Sequence, residues 1–237
     1  MERRRLGRTG HESSVAILGG AAFWEATTDQ AGAGLSLDDT GPIPRRSSVG
    51  SAVVIALRAN GALRAFSGFL LMFLAFLLRE NPVGQLDDTL ALGLVAGAAA
   101  IGNAGGTTIG SRLRTRSPLT VIVVVLGIVT AAALAGALVY GVVTVLAVGF
   151  AAGFAQSLGK LSLDAIVQRD VPEAVRTSAF ARSETLLQLS WVVGGAIGIV
   201  LPLNGQLGLG IAAAGLMGML VWTARSIALR RREKGQR

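Results

Sequence analysis

Long apolar blocks alternate with short polar segments along most of the chain, from about residue 49 to residue 229. A helix needs about 20 apolar residues to cross the ~30 Å hydrocarbon core of a bilayer. Six blocks reach that length, and a soluble protein could not bury all six with such short connections between them. The pattern therefore predicts an all-α membrane protein, a bundle of six transmembrane helices, with spans near 61–79, 89–111, 118–139, 141–167, 178–202 and 206–228. An amphipathic turn from Val53 is a candidate lead-in to the first span.

Other segments differ in composition from the apolar blocks. Residues 1–35 mix charged and polar residues with one short apolar run and are predicted to form a non-membrane segment. Residues 36–48 (SLDDTGPIPRRSS) hold two Pro, one Gly, paired Asp and paired Arg, which is typical of a linker. The bundle is then predicted over residues 49–229, followed by a basic tail over residues 230–237.

The composition favours lipid as the solvent of the exterior. The chain is 51% hydrophobic and 15% charged, whereas soluble domains carry about 25% charged residues. Its 32 glycines suit close helix packing in a bilayer. The net charge of +8 would permit a nucleic-acid partner, but the charges cluster at the ends of apolar stretches. We therefore expect the lipid bilayer, and no nucleic acid, as a partner.

The use of cysteine and histidine excludes several kinds of site. The chain has no cysteine, and His11 is its single histidine. Disulfides, thiolate metal sites and cysteine nucleophiles are therefore impossible, and a histidine-based triad or multi-histidine metal site cannot be built. We expect no catalytic residue, no cofactor and no bound metal, and hence no enzyme.

The distribution of basic residues predicts the orientation in the membrane. Cytoplasmic loops carry an excess of Lys and Arg. The loops after the second and fourth spans and the tail are basic, whereas the intervening loops hold only Arg79, beside Glu80, Asp87 and Asp88. We therefore predict a multi-pass protein of the inner (plasma) membrane with both ends in the cytoplasm. The basic residues concerned are Arg112, Arg114, Arg116, Arg169, Arg176, Arg230, Arg231, Arg232, Lys234 and Arg237.

The stretch LDAIVQRDVPEAVRTSAFARSETLLQLSWVVGGAIGIVLPL, from Leu163 to Leu203, carries the most specific resemblance to a known family. Through it, residues 50–229 resemble the last six helices of a major facilitator superfamily transporter. That family joins two six-helix bundles and moves solute by rocking one against the other. The resemblance implies a half-length secondary transporter for uptake or efflux. Its expected partners are a small-molecule solute and a second six-helix half, either another copy or a separate chain.

The loop after the second span, GGTTIGSRLRTRSP, resembles a motif of the same family, G-x-x-x-D-[RK]-x-G-[RK]-[RK]. Gly106 or Gly110 fits the glycine, and Arg112, Arg114 and Arg116 fit the basic positions. The acidic residue of the motif is missing. The resemblance therefore extends to the arginines of a cytoplasmic gate, not to their acidic partner.

The stretch ERRRLGRTGHESSVAILGGAAFW, within residues 1–35, resembles the start of an aldo-keto reductase, which implies a short β-hairpin. The resemblance stops before the family's Asp, Tyr, Lys and His catalytic set, and the chain is too short for the barrel of about 250 residues. We interpret the chain as a fusion or misjoined reading frame. Alternatives are a signal segment over residues 1–24, a reductase fragment without its catalytic residues, and a membrane interaction subunit without transport of its own.

Ionisable residues at membrane depth are costly and mark candidate functional sites. Lys160 and Asp164 stand four residues apart near the end of the fourth span, so they share a helix face and can pair. We predict a cytoplasmic gate whose ion pairs break as the bundle rocks, or alternatively side chains that reach into water. No acidic residue is predicted at mid-span, so a proton-coupling carboxylate is expected in the other half. The gate candidates are Arg112, Arg114, Arg116, Lys160, Asp164, Arg169, Asp170, Arg182 and Glu184.

Deeper polar residues are candidates for lining a solute cavity, with helix-to-helix hydrogen bonding as the alternative role. Gly194 and Gly198 have the GxxxG spacing that favours close helix packing. Pro202 is expected to kink or end the fifth span. The polar candidates are Asn103, Gln156, Gln188 and Trp191, with Asn204 as a further deep residue.

Overall fold

The computed structural model describes residues 3–6, 11–14, 50–81, 87–112 and 117–235 and divides the chain into two compact units, Met1–Ser47 and Ser48–Arg237. In the first unit, strands β1 (Arg3–Leu6) and β2 (His11–Ser14) pair antiparallel, with Arg3 opposite Ser14. The residues that connect them, like the predicted linker 36–48, lie outside the described residues. The hairpin as a whole therefore stays a prediction.

The second unit contains six helices in its described part, and all six are long and apolar enough to cross a membrane. The prediction of six membrane-length helices is therefore confirmed. The helices are α1 (Ser51–Glu80), α2 (Asp88–Arg112), α3 (Pro118–Leu138), α4 (Val142–Asp170), α5 (Glu173–Val200) and α6 (Gly205–Gly235).

Several helices are longer than their predicted spans. Helix α1 begins at Ser51 instead of near residue 61, and α5 begins at Glu173 instead of near residue 178. Helix α6 continues to Gly235 and takes in most of the predicted tail. The cause is that Ala, Leu, Arg and Glu all favour helix, so polar turns continue a helix that an apolar window leaves out. Helix α5 ends at Val200, just before Pro202.

The connections between helices are short and locally hydrogen-bonded. The connection between α3 and α4 consists of residues 139–141, where the Thr144 hydroxyl accepts from the Gly141 N–H at 3.0 Å and donates to the Val139 carbonyl at 2.7 Å. Before α6, the Asn204 side-chain oxygen accepts from the Leu207 N–H at 3.0 Å. Asn204 is therefore a helix cap, which corrects its inclusion among the deep polar residues.

The six helices pack in a pattern that repeats after three helices. The most extensive contacts join α2 with α4 and α1 with α5, followed by α3 with α6. If each of the first three helices is matched with the helix three places later, α1 corresponds to α4, α2 to α5 and α3 to α6. The contact between α2 and α4 then corresponds to the contact between α5 and α1, and the contact between α3 and α6 corresponds to itself. Because consecutive helices alternate in direction and three is odd, the two halves would cross a membrane with opposite topology.

Glycines bring the backbones of α1 and α5 into direct contact. A Cβ added to Gly68 would meet the carbonyl oxygen of Trp191, and one added to Gly194 would meet that of Ala65. Each glycine thus faces the carbonyl three residues before the opposite glycine. A Cβ on Gly198 would lie 2.8 Å from the Phe69 carbonyl oxygen. Gly194 and Gly198 therefore both lie at this crossing, against the backbone of α1.

The crossing of α2 and α4 follows the same rule. A Cβ on Gly102 would meet the Phe150 carbonyl, and one on Gly153 would meet the Ala99 carbonyl, again three residues before the opposite glycine. A Cβ on Gly106 would lie 2.7 Å from the Phe154 carbonyl oxygen. Gly153 therefore corresponds to Gly68 in α1, and Gly102 to Gly194 in α5. Because Phe154 follows Gly153 as Phe69 follows Gly68, these two residues also correspond.

Candidate functional site

A cavity of about 260 Å³ lies between the α1/α5 pair and the α2/α4 pair. Four helices line it, and most of the lining side chains are polar or charged. Neither α3 nor α6 contributes a described residue to it. The lining residues are Asn60, Leu63, Arg64, Asn103, Thr107, Gln156, Ser157, Lys160, Leu161, Glu184 and Leu187.

Lys160 of α4 joins two carboxylates at this cavity. Its ammonium group donates a hydrogen bond to Oε2 of Glu184 on α5 at 2.9 Å. It also lies 3.2 Å from Oδ1 of Asp164 on its own helix, an ion pair without hydrogen-bond geometry. The predicted pairing of Lys160 with Asp164 is therefore present. The side chains of Lys160 and Glu184 are 38% and 46% exposed, so their ion pair is open to the cavity.

Arg64 of α1 adds a second cation, which was not among the residues predicted for a site. Its Nε atom is buried and has no hydrogen-bond partner among the described residues. The available signal was a lone arginine inside the apolar block GALRAFSGFLLM, since such a charge marks a functional site by default. Asn60, one turn earlier, is 4% exposed and donates from its amide to the Ala56 carbonyl at 2.9 Å.

The charged groups lie well inside their helices. Glu184 is the twelfth of the 28 residues of α5, Lys160 the nineteenth of the 29 of α4, and Arg64 the fourteenth of the 30 of α1. At about 1.5 Å per residue, each is ~15 Å or more from the nearer helix end. Glu184 therefore lies farther inside its helix than the predicted span placed it, because α5 begins earlier than its apolar block. The expectation that no carboxylate lies at mid-span concerns depth in the bilayer and stays a prediction.

The structure divides the predicted gate residues into separate groups. Arg169 and Asp170 pair with each other at the end of α4, Nε to Oδ1 at 2.7 Å, and neither lines the cavity. Arg112 and Arg182 are exposed on α2 and α5. The two remaining arginines, Arg114 and Arg116, lie outside the described residues. Within the described part of the chain, Lys160 contacts both Asp164 and Glu184, and Asp164 also lines a neighbouring cavity together with Arg169. The role of these residues as a gate stays a prediction.

The predicted cavity-lining residues are divided as well. Asn103 and Gln156 line the cavity, the first exposed and the second half-buried. Gln188 is exposed on α5, one turn beyond Glu184, and Trp191 is half-buried where α5 crosses α1 at Gly68. Neither Gln188 nor Trp191 is among the lining residues of this cavity.

The three-helix repeat relates two places in the bundle, and the charged and polar side chains of the cavity (the polar cluster) lie at one of them and not at the other. When α4 is aligned with α1 on Gly153 and Gly68, Lys160 aligns with Ala75. When α5 is aligned with α2 on Gly194 and Gly102, Glu184 aligns with Leu92. Other lining residues have apolar counterparts too, as Gln156 corresponds to Leu71 and Asn60 to Val145. The repeat therefore supplies the scaffold but not the charges, which belong to one end of the bundle.

The fold and the site define a helical membrane protein with six membrane-length helices and a charged cavity between them. No family model matches the chain. Over 155 residues, 65% of the chain, it is 33% identical to the uncharacterized protein ML2143 of Mycobacterium leprae. It is 43% identical over 155 residues to the uncharacterized protein Rv0876c of Mycobacterium tuberculosis. The match covers 27% and 28% of these relatives, so the chain spans about a quarter of their length.

Proposed function

We propose that the chain is a transport protein of the major-facilitator type, a six-helix bundle that forms a solute path together with a second such half. The observation that carries the proposal is the three-helix repeat, with its two matched glycine crossings. Inverted three-helix repeats build each half of a major-facilitator transporter, and solute sites form at repeat interfaces near the bilayer midplane.

The position of the polar groups supports a path on one face of the bundle. All polar lining residues of the cavity come from α1, α2, α4 and α5. Asn103 on α2 and Gln188 on α5 are both exposed, and polar side chains facing lipid are costly. A second bundle, from another copy or a separate chain, would cover this face and enclose water and solute. The relatives, more than three times as long as the matched region, have room for such a half in one chain.

The same proposal includes the orientation. The basic loop after α2, the end of α4 and the end of α6 lie on one side if each helix crosses the membrane once. By the positive-inside rule this side is the cytoplasm, and the membrane is the inner (plasma) membrane. In that orientation the charged cavity lies either at mid-depth in the bundle or in its cytoplasmic half.

Single cysteines test the path directly because the natural chain has none. Cysteine at Asn103 and at Gln188 should react with a membrane-impermeant thiol reagent, since the thiolate that reacts forms only in water. Ile101 and Leu186, each two residues earlier on the same helix, are exposed apolar positions on a different face and serve as matched controls.

We expect Asn103→Cys and Gln188→Cys to react roughly tenfold faster than Ile101→Cys and Leu186→Cys, because only the first pair would contact water. Equal rates within each pair would contradict a water-filled path on this face. The molecular mass of the labelled protein in detergent then shows whether the path forms within a dimer of this chain or needs a different chain.

A further inference from the structure

The charges around the cavity are balanced, and this balance restricts what the cavity can bind. Arg64, Lys160 and Glu184 line the cavity, and Asp164, outside the lining, pairs with Lys160, so this cluster holds two positive and two negative charges. On the basis of the proposed function, we propose that the cavity takes up a small monoanion together with one proton. The proton is held by Glu184, and the anion replaces the Glu184 carboxylate on Lys160.

The hydrogen bond between Lys160 and Glu184 can be exchanged without breaking the scaffold. It joins α4 to α5, two helices that otherwise have few contacts. Lys160 has three donor hydrogens and keeps Asp164 as a partner on its own helix when Glu184 leaves. An anion entering the open side of the ion pair therefore meets an ammonium group that is already anchored and oriented.

Arg64 supplies a second positive charge for the anion. It lines the same cavity from α1, and its buried Nε has no hydrogen-bond partner among the described residues. A guanidinium group has five donors arranged for planar or tetrahedral oxyanions. The buried Nε is not accessible from the cavity, but the positive charge of Arg64 lies beside the cavity and would attract an oxyanion held by Lys160.

The proton requirement follows from the cost of uncompensated charge away from water. With all groups ionised the site is neutral, and an added anion would give it a net charge of −1. Protonation of Glu184 alone would leave +1, and only the two together restore neutrality. The charged groups that line the cavity with Glu184 are Arg64 from α1 and Lys160 from α4, and Lys160 also pairs with Asp164 on its own helix. Arg182 is the nearest charged group on α5, and the lining residues of α2 are uncharged.

An anion titration of the purified full chain in neutral detergent tests this coupling. Methanesulfonate is a suitable probe because it stays ionised across the working pH range, and dimethyl sulfone is its neutral counterpart. The apparent Kd is obtained from the rise in Tm with probe concentration. If one proton enters with one anion, the apparent Kd should rise about tenfold per pH unit between about pH 6 and about pH 8. Dimethyl sulfone should have no such effect.

Two variants identify the groups involved. Glu184→Gln is neutral at every pH, so it should bind methanesulfonate with an affinity independent of pH. Lys160→Gln should lose at least roughly tenfold in affinity at every pH, because the charge-assisted contact is gone. Arg225→Gln removes an exposed positive charge on α6, away from the cavity, and is the control for net charge. It should behave as the natural chain does.

The pH series on the natural chain decides the outcome even if a variant cannot be purified. A pH-independent affinity, or equal responses to methanesulfonate and dimethyl sulfone, would overturn the proposal. So would a pH dependence that survives in Glu184→Gln. If the thiol-labelling experiment succeeds and the titration fails, the chain has a solute path but not a proton-linked anion site. Failure of both would reject the proposed function itself.

Discussion

The glycine crossings allow a sharp test of how the bundle is held together, through substitution of Gly102 by alanine. The added Cβ would overlap the Phe150 carbonyl of α4, so the two backbones must move apart. Overpacking of this kind costs about 1–3 kcal/mol. Gly97 lies in the same helix and has no atom within 4 Å of its Cβ position, so Gly97→Ala is a matched control. Alanine is the better helix former, and Gly97→Ala should be neutral or stabilise by about 0.5–1 kcal/mol.

Both variants gain the same helix propensity, so the difference between them should be the overpacking cost of about 1–3 kcal/mol, or at least roughly fivefold in the equilibrium between folded and unfolded bundle. Reversible unfolding in mixed micelles, followed by the loss of helical circular dichroism, measures it. Double variants locate the effect. Gly102→Ala with Gly153→Ala changes one crossing twice and should cost less than the sum, whereas Gly102→Ala with Gly68→Ala changes two crossings and should be additive. Equal stability of Gly102→Ala and Gly97→Ala would refute the role assigned to the crossing.

Three further predictions concern the ion pair, the cap and the orientation. Lys160→Met alone should destabilise the bundle by about 1–2 kcal/mol, since Glu184 loses its partner in a partly exposed site. In the same unfolding assay, adding Glu184→Met should recover only the part of that loss that comes from Glu184, because Asp164 still lacks its cation. Asn204→Ala removes the cap of α6 and should cost about 1 kcal/mol, while Asn204→Asp should keep most of it. A cysteine at Ser117 should react with an impermeant reagent in inside-out vesicles and not in intact cells, and the reverse result would contradict the predicted orientation.

The sequence predicted the helices well and their ends poorly. The start of α3 at Pro118 and the break between α3 and α4 near Tyr140 were located correctly. A first-turn proline is a local signal, and the glycine at 141 interrupts the apolar run. The start of α5 was missed because apolar windows exclude helical turns that carry charges. That error placed Glu184 close to a membrane surface, and it concealed a carboxylate near the middle of α5.

Within the candidate site, contacts along one helix were predictable and contacts between helices were not. The pairing of Lys160 with Asp164 follows from their spacing of four residues. The shorter contact between Lys160 and Glu184 joins different helices, and no periodicity indicates it. The packing of Gly194 was predicted from the GxxxG spacing, yet Gly102 and Gly106 have the same spacing, and their equivalence became visible only when their opposite carbonyls were compared.

The polar cluster has no polar counterpart at the repeat-related position, and this difference links the helix packing to the proposed chemistry. Each glycine crossing holds two backbones in direct contact, so the α1/α5 pair and the α2/α4 pair are each expected to move as a unit. Relative movement then concentrates at the junction between the pairs, where the cavity lies and where Lys160 meets Glu184. At the repeat-related junction the counterparts of these two residues, Ala75 and Leu92, can only pack. Replacing the Glu184 carboxylate by an anion would therefore change the link between the pairs at one end of the bundle and leave the other end unaltered. A bundle that rocks needs such a difference between its two ends, because a ligand can shift a conformational equilibrium only by its unequal affinity for the two states.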